Sequence, residues 1–200
     1  MTNGSSKTAR GNTHIMTFID CFTGFMKTYL IPQYNVAILA DRMLAYVCDI
    51  RLPIKFVKEN DACFTNKVDK LLKHFLGTDV LHIALRNAQA NAMVEHWHWT
   101  LKSMLWAYVN ENQTNWDTLL PLLQFALNTL RNEMMKYTPH FLFFGRPPRL
   151  PLEVSASPNY KPKKLSDEYL RELQYNMVNV YELVRKHFYD HMCTGTCDNT

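Results

Sequence analysis

The chain has 200 residues, 47% apolar and 20% charged, enough for one compact domain with a core and some additional helix. That balance excludes a disordered, fibrous or collagen-like chain, and no apolar run approaches the ~18 residues of a membrane-spanning helix. A net charge of +4 permits a phosphate-bearing partner without requiring one.

Residues 1–12 read as a polar leader without the features of a signal peptide. His14–Ile19 is a short apolar run ending at Asp20. After a turn at Thr23-Gly24, Phe25–Ile31 alternates and stops at Pro32, so the two predict a β-hairpin. Val36–Ile50 has apolar residues at 36, 39, 40, 43, 44 and 47, a helical spacing. Ile54–Val57 predicts a brief strand, Thr65–Leu76 a helix closed by Gly77, and Val80–Ala84 another strand. Ala92–Val109 predicts a long helix with its apolar stripe at Val94, Trp97, Leu101, Met104, Leu105 and Tyr108. Three further helices follow, at Trp116–Arg131, Pro139–Phe144 and Asp167–His187, with irregular, Pro-rich chain over 145–158. Strands alternating with helices predict an α/β sheet with helical cover.

The five cysteines, at 21, 48, 63, 193 and 197, are odd in number and scattered, which argues against a disulfide framework. A reducing compartment follows, nucleus or cytoplasm, with no membrane partner. His187, His191, Cys193 and Cys197 are soft or borderline ligands at short spacing, as zinc sites use. The single residue between His191 and Cys193 is cramped for one ion, so an ordinary disordered tail is the favoured reading. Trp97, Trp99 and Trp106 invite a base-stacking reading. Core packing is preferred, with Trp99 alone on the opposite side.

Three stretches carry a family likeness. Residues 14–32 (HIMTFIDCFTGFMKTYLIP) resemble the second and third strands of retroelement integrases. Residues 85–102 (LRNAQANAMVEHWHWTLK) resemble the family's HPQxxGxxE segment and the helix after it, with Gln89, Asn91, Val94, Glu95, Thr100, Leu101 and Lys102 in register. Residues 116–152 resemble the extension of gypsy-type elements at Trp116, Pro121, Asn128, Thr138-Pro139, Phe144-Gly145-Arg146 and Pro151. The resemblance implies the integrase catalytic core of a gypsy-type retrotransposon or retroviral Pol polyprotein. It implies an RNase H-like mixed sheet flanked by helices, with a C-terminal helical extension. It further implies DNA as partner, homo-oligomers, and Mg2+ or Mn2+ as cofactor for phosphoryl transfer on DNA.

Such sites hold hard divalent ions with carboxylate oxygens, conventionally Asp, Asp and Glu. The resemblance assigns Glu95 to the last. Counting back over residues 60–94, 35 in number, reaches Glu59 where the family has Asp. The extra methylene shifts the carboxylate by roughly 1.5 Å, a displacement on the scale that can cost ~100-fold in rate. The loop glycine of that motif is Asp61, a further candidate metal ligand. Both Glu59 and Asp61 also read simply as a polar loop. The first Asp of the family lies on the strand before this hairpin, and no Asp or Glu precedes Asp20 in the chain. Asp20 is accordingly read as a cap of the strand-turn junction or as a residue near the site. The His-Pro of HPQ is Asn87-Ala88, and the family's basic residue four positions after the catalytic Glu is Trp99. Lys102, on the same helix face as Glu95 and Trp99, is the candidate contact to a DNA phosphate.

The expected organisation is a leader (1–12), an N-terminally truncated core without its central strand (13–112), a helical extension with a Pro-rich segment (113–158), and a C-terminal helix and tail (159–200). The expected function is that of an integrase core inactive in this chain. The alternative is a non-enzymatic, host-adopted DNA- or protein-binding module with the same fold.

Overall fold

The computed structural model describes residues 7–58, 73–74, 77, 79–82, 88–133, 135–150 and 167–194. In order these form β1 (His14–Ile19), β2 (Met26–Ile31), α1 (Val36–Asp49), β3 (Lys55–Lys58), β4 (Asp79–His82), α2 (Ala88–Tyr108), α3 (Trp116–Thr129), α4 (Pro139–Phe144) and α5 (Asp167–Thr194). The chain divides into two compact units, residues 1–21 with 26–125 and residues 22–25 with 126–200.

In the first unit β1 and β2 pair antiparallel, His14 opposite Ile31 and Ile19 opposite Met26. Residues opposite one another share a face. Met16, Phe18, Tyr29 and Ile31 therefore form one face, and Ile15, Thr17, Met26 and Thr28 the other. Each face carries fully buried residues: Met16 and Ile31 on one, Ile15 and Met26 on the other. A hairpin buried on both faces belongs inside helical layers rather than at a solvated surface.

Helix α1 covers the first of these faces. Asn35 caps it, its side-chain oxygen accepting from the Ile38 N–H at 2.9 Å. Leu39, Met43 and Tyr46, four and three residues apart, make the buried stripe and pack with Met16, Ile31 and Phe56. Phe18 stacks on Tyr46 with ring centroids 4.5 Å apart, and Phe56 of β3 meets both rings edge-on at 6.2 Å. At the rim, the Asp49 carboxylate accepts from the Tyr29 hydroxyl at 2.9 Å and pairs with Lys27 at 3.2 Å. Those contacts hold the Asp49 carboxyl below the ordinary carboxylate range, and burial, then the bond to Asp49 and its charge, push the Tyr29 phenol up. On the opposite face, Gln124 Oε1 of α3 accepts from both the backbone N–H and the hydroxyl of Thr28 at 2.7 Å.

Strands β3 and β4 run parallel, Lys55 opposite Asp79 and Lys58 opposite His82. Among the described residues the antiparallel and parallel pairs are separate two-stranded sheets. This is a partial RNase H-like α/β arrangement, with both strand directions expected of a mixed sheet. Much of the helix expected at residues 65–76 lies outside the described residues. Lys73 and His74 are helical, and Gly77, at φ +63°, donates its N–H to the Lys73 carbonyl at 3.1 Å. That is the glycine helix stop anticipated from sequence.

The leader is more structured than its composition suggests. Thr8 is buried, and Thr8 to Asn12 form a tight turn closed by Thr8 N–H to Asn12 O and Gly11 N–H to Thr8 O, each 2.9 Å. Asn12 Nδ2 donates to the buried Asp117 carboxylate in the first turn of α3 at 3.0 Å.

In the second unit, Thr138 caps α4 by accepting from the Phe141 N–H at 3.1 Å, and Pro139 occupies the first turn. Gly145, at φ +72°, ends it and donates to the Phe141 carbonyl at 2.8 Å. Leu142 is fully buried, and its carbonyl accepts from the Tyr181 hydroxyl of α5 at 2.8 Å. Phe25 stacks on Phe143 at 4.4 Å. Helix α5 continues past the expected end at His187 as far as Thr194.

Candidate functional site

Helix α2 carries the candidate catalytic glutamate. Trp97, Leu101 and Leu105, each four residues on, are buried and fix which way the helix faces. Glu95 and Lys102 lie on the exposed side. The intervals from Glu95 to Trp99, Lys102 and Trp106 are four, three and four residues, so all four share one outer face. Trp99 is 68% exposed and Trp106 72%.

Two sequence expectations fail on this helix. Trp106 was assigned to the core, but it lies nine residues from Trp97, half a turn around the cylinder, and faces out. Tyr108 was placed in the apolar stripe but is 65% exposed, because it occupies the last turn of α2.

Glu59 follows immediately on the last residue of β3. It and Asp61 lie outside the described residues, as do Asn87 of the altered HPQ segment and Cys63. Ligands of open α/β sheets gather at the carboxyl ends of parallel strands. The candidate assignment of Glu59 thus rests on its sequence position at the end of β3.

Asp20 follows β1, and its carboxylate accepts from Arg51 Nη2 at 2.6 Å, a charge-assisted bond. The neighbouring Cys21 thiol is pushed up by burial and by the Asp20 charge. The arrangement pairs this carboxylate with an arginine.

Among the described residues, no group of three or more His, Cys, Asp or Glu side chains could hold a metal ion. Of the candidate ligands only Glu95 is among the described residues. The His187, His191, Cys193 set sits within α5, while Cys197 lies outside the described residues. The structure gives helix as far as Thr194 where a disordered tail was the favoured reading. No helix among the described residues is long and apolar enough to cross a membrane.

No established domain-family profile matches the chain. Similar sequences are nonetheless consistent in kind. The Retrovirus-related Pol polyprotein from transposon 412 of Drosophila melanogaster is 24% identical over 181 residues, 90% of this chain and 15% of that protein. The Pro-Pol polyprotein of Simian foamy virus type 1 is 27% identical over 139 residues, 68% of this chain and 12% of that protein. The Pol polyprotein of Feline endogenous virus ECE1 is 28% identical over 169 residues, 82% of this chain and 16% of that protein. The chain thus spans about a sixth or less of the curated relatives it matches. Among solved structures, the catalytic core domain of BIV integrase superimposes with a TM-score of 0.54 at 25% identity, covering 66% of this chain and 90% of that one. The simian T-cell lymphotropic virus intasome, in complex with PP2A regulatory subunit B56 gamma, gives 0.60 at 17% identity, covering 82% of this chain and 56% of the matched one; at that identity the likeness is one of fold. The relatives are retroviral and retrotransposon Pol polyproteins and the superimposed structures are integrases, so this chain is similar to the integrase core of such polyproteins.

Proposed function

We propose that this chain is the integrase core of a gypsy-type element, that it engages DNA in integration, and that on its own it does not carry out phosphoryl transfer. The observation that carries the reading is the exposed Glu95 on the outer face of α2, in a fold that matches integrase catalytic cores. Lys102, seven residues on and exposed, is suited to a phosphate. The family reaction needs divalent metal, Mg2+ or Mn2+, held by carboxylates. This chain brings Glu95 and, by sequence count, Glu59 in place of Asp, with Asp61 where a glycine is expected. Its remaining motif aspartate, Asp20, is bound to Arg51.

A second reading is a non-enzymatic module kept for binding, in the nucleus or cytoplasm. It is favoured by Trp99, which stands where the family has a basic residue on the helix of Glu95. Duplex DNA titrated by fluorescence anisotropy at several salt concentrations tests the DNA engagement common to both. Affinity should fall steeply with salt, and Lys102→Glu should weaken it and reduce the slope by about one unit. A chain that binds no DNA at low salt contradicts the proposal.

A further inference from the structure

The outer face of α2 carries more than the glutamate. Trp99 and Trp106 project from it at 68% and 72% exposure, with exposed Lys102 between them. They are seven residues apart, so they lie nearly in line, roughly 10 Å from each other along the axis at ~1.5 Å per residue. Large aromatic side chains are normally buried, and the two other tryptophans, Trp97 and Trp116, are. From His96 to Asn110 the sequence contains no Asp or Glu, only Lys102 and two histidines among its ionisable or basic groups besides Tyr108. The face is therefore aromatic and, past Glu95, free of negative charge.

We infer that Trp99, Lys102 and Trp106 form a stacking platform for a short unpaired stretch of DNA, bases lying on the two indoles and a phosphate on the lysine between them. The inference rests on the nucleic-acid reading above and names the state of the DNA that this face takes. Every base has a π-face, and stacking on an exposed aromatic needs that face uncovered, which unpaired nucleotides provide and a closed duplex does not. The helical rise between the two positions corresponds to about three stacked steps at ~3.4 Å each. A lysine midway supplies the phosphate charge, with no Asp or Glu in the sequence from His96 to Asn110. A second copy of the chain is the weaker occupant. Two tryptophans each about two-thirds exposed offer roughly 300 Å² of contact, against ~800 Å² per partner in a stable protein interface.

The test uses the whole chain, a labelled single-stranded oligonucleotide of mixed sequence and the corresponding duplex, with Trp99→Ala/Trp106→Ala and Trp99→Phe/Trp106→Phe variants whose folding is checked by circular dichroism. The wild type should bind the single strand more tightly than the duplex, with quenching of tryptophan emission. The alanine pair should weaken single-strand binding roughly tenfold or more while leaving duplex binding nearly unchanged. The phenylalanine pair should keep most of the affinity but lose the quenching of the exposed indoles. Single-strand affinity indifferent to the alanine pair overturns the platform, and retained duplex binding then leaves the nucleic-acid reading standing. Self-association of the wild type that the alanine pair abolishes, with no single-strand preference, overturns it in favour of a second copy. Failure to bind either form of DNA overturns both readings.

Discussion

Asp117 anchors the start of α3 to the N-terminal turn. It is 2% exposed, and burial alone would push its carboxyl up. Hydrogen bonds from Asn12 and Thr8, the Arg10 charge and the Thr118 N–H outweigh that effect and hold it below the ordinary carboxylate range. A carboxyl depressed in the folded state contributes stability above its unfolded value of 3.8, and that contribution is lost as pH falls through the lower folded value. Asp117→Ala should therefore lower stability at pH 7 by ~2 kcal/mol, the scale of hydrogen bonds to a charged group, and the gap to wild type should narrow below about pH 4. Urea melts at pH 7 and pH 3.5 check this; a gap that widens on acidification contradicts it. Nothing in the sequence marks this contact, because Asn12 and Asp117 are far apart in the chain and the leader is merely polar. Gly145 was legible, since Pro139 just inside a short helix and glycine just past its end mark both boundaries.

At the scale of elements, boundaries followed local chemistry closely. The hairpin, α1 and α4 match expectation within a residue or so, because Asn35, Thr138 and Pro139 start helices and Gly24 and Gly145 turn the chain. What periodicity misplaced was the width of the buried arc of α2, since Trp106 is 72% exposed. Leu101, 3% exposed, and Trp99, 68% exposed, face as the spacing implies. Leu101→Ala should accordingly cost ~2–4 kcal/mol, the range for emptying a packed site, and Trp99→Ala less than about 0.5 kcal/mol. Thermal and urea unfolding of the two variants decide between this facing and the reverse. Comparable losses at both sites would mean that α2 is turned differently. The extension of α5 to Thr194 escaped sequence reading because His and Cys near a chain end resemble a ligand set or a tail as readily as a helix.

The whole molecule joins an α/β unit containing the Glu95 helix to a mainly helical unit containing Gly145 and α5. Fold class was legible because strand and helix periods alternate along the chain and three motifs fall in order. The exposed helix face of Glu95 and Lys102 was legible in the sequence spacing. It was less so at Trp106, whose placement depends on how far the core reaches around α2. We propose a family fold without the family's chemistry in this chain. A strand-transfer assay on the purified chain, with a labelled donor duplex and Mg2+ or Mn2+, tests it most directly. The account predicts no joined product with either ion, for wild type and Glu95→Gln alike; metal-dependent joining by the wild type that Glu95→Gln abolishes would contradict it.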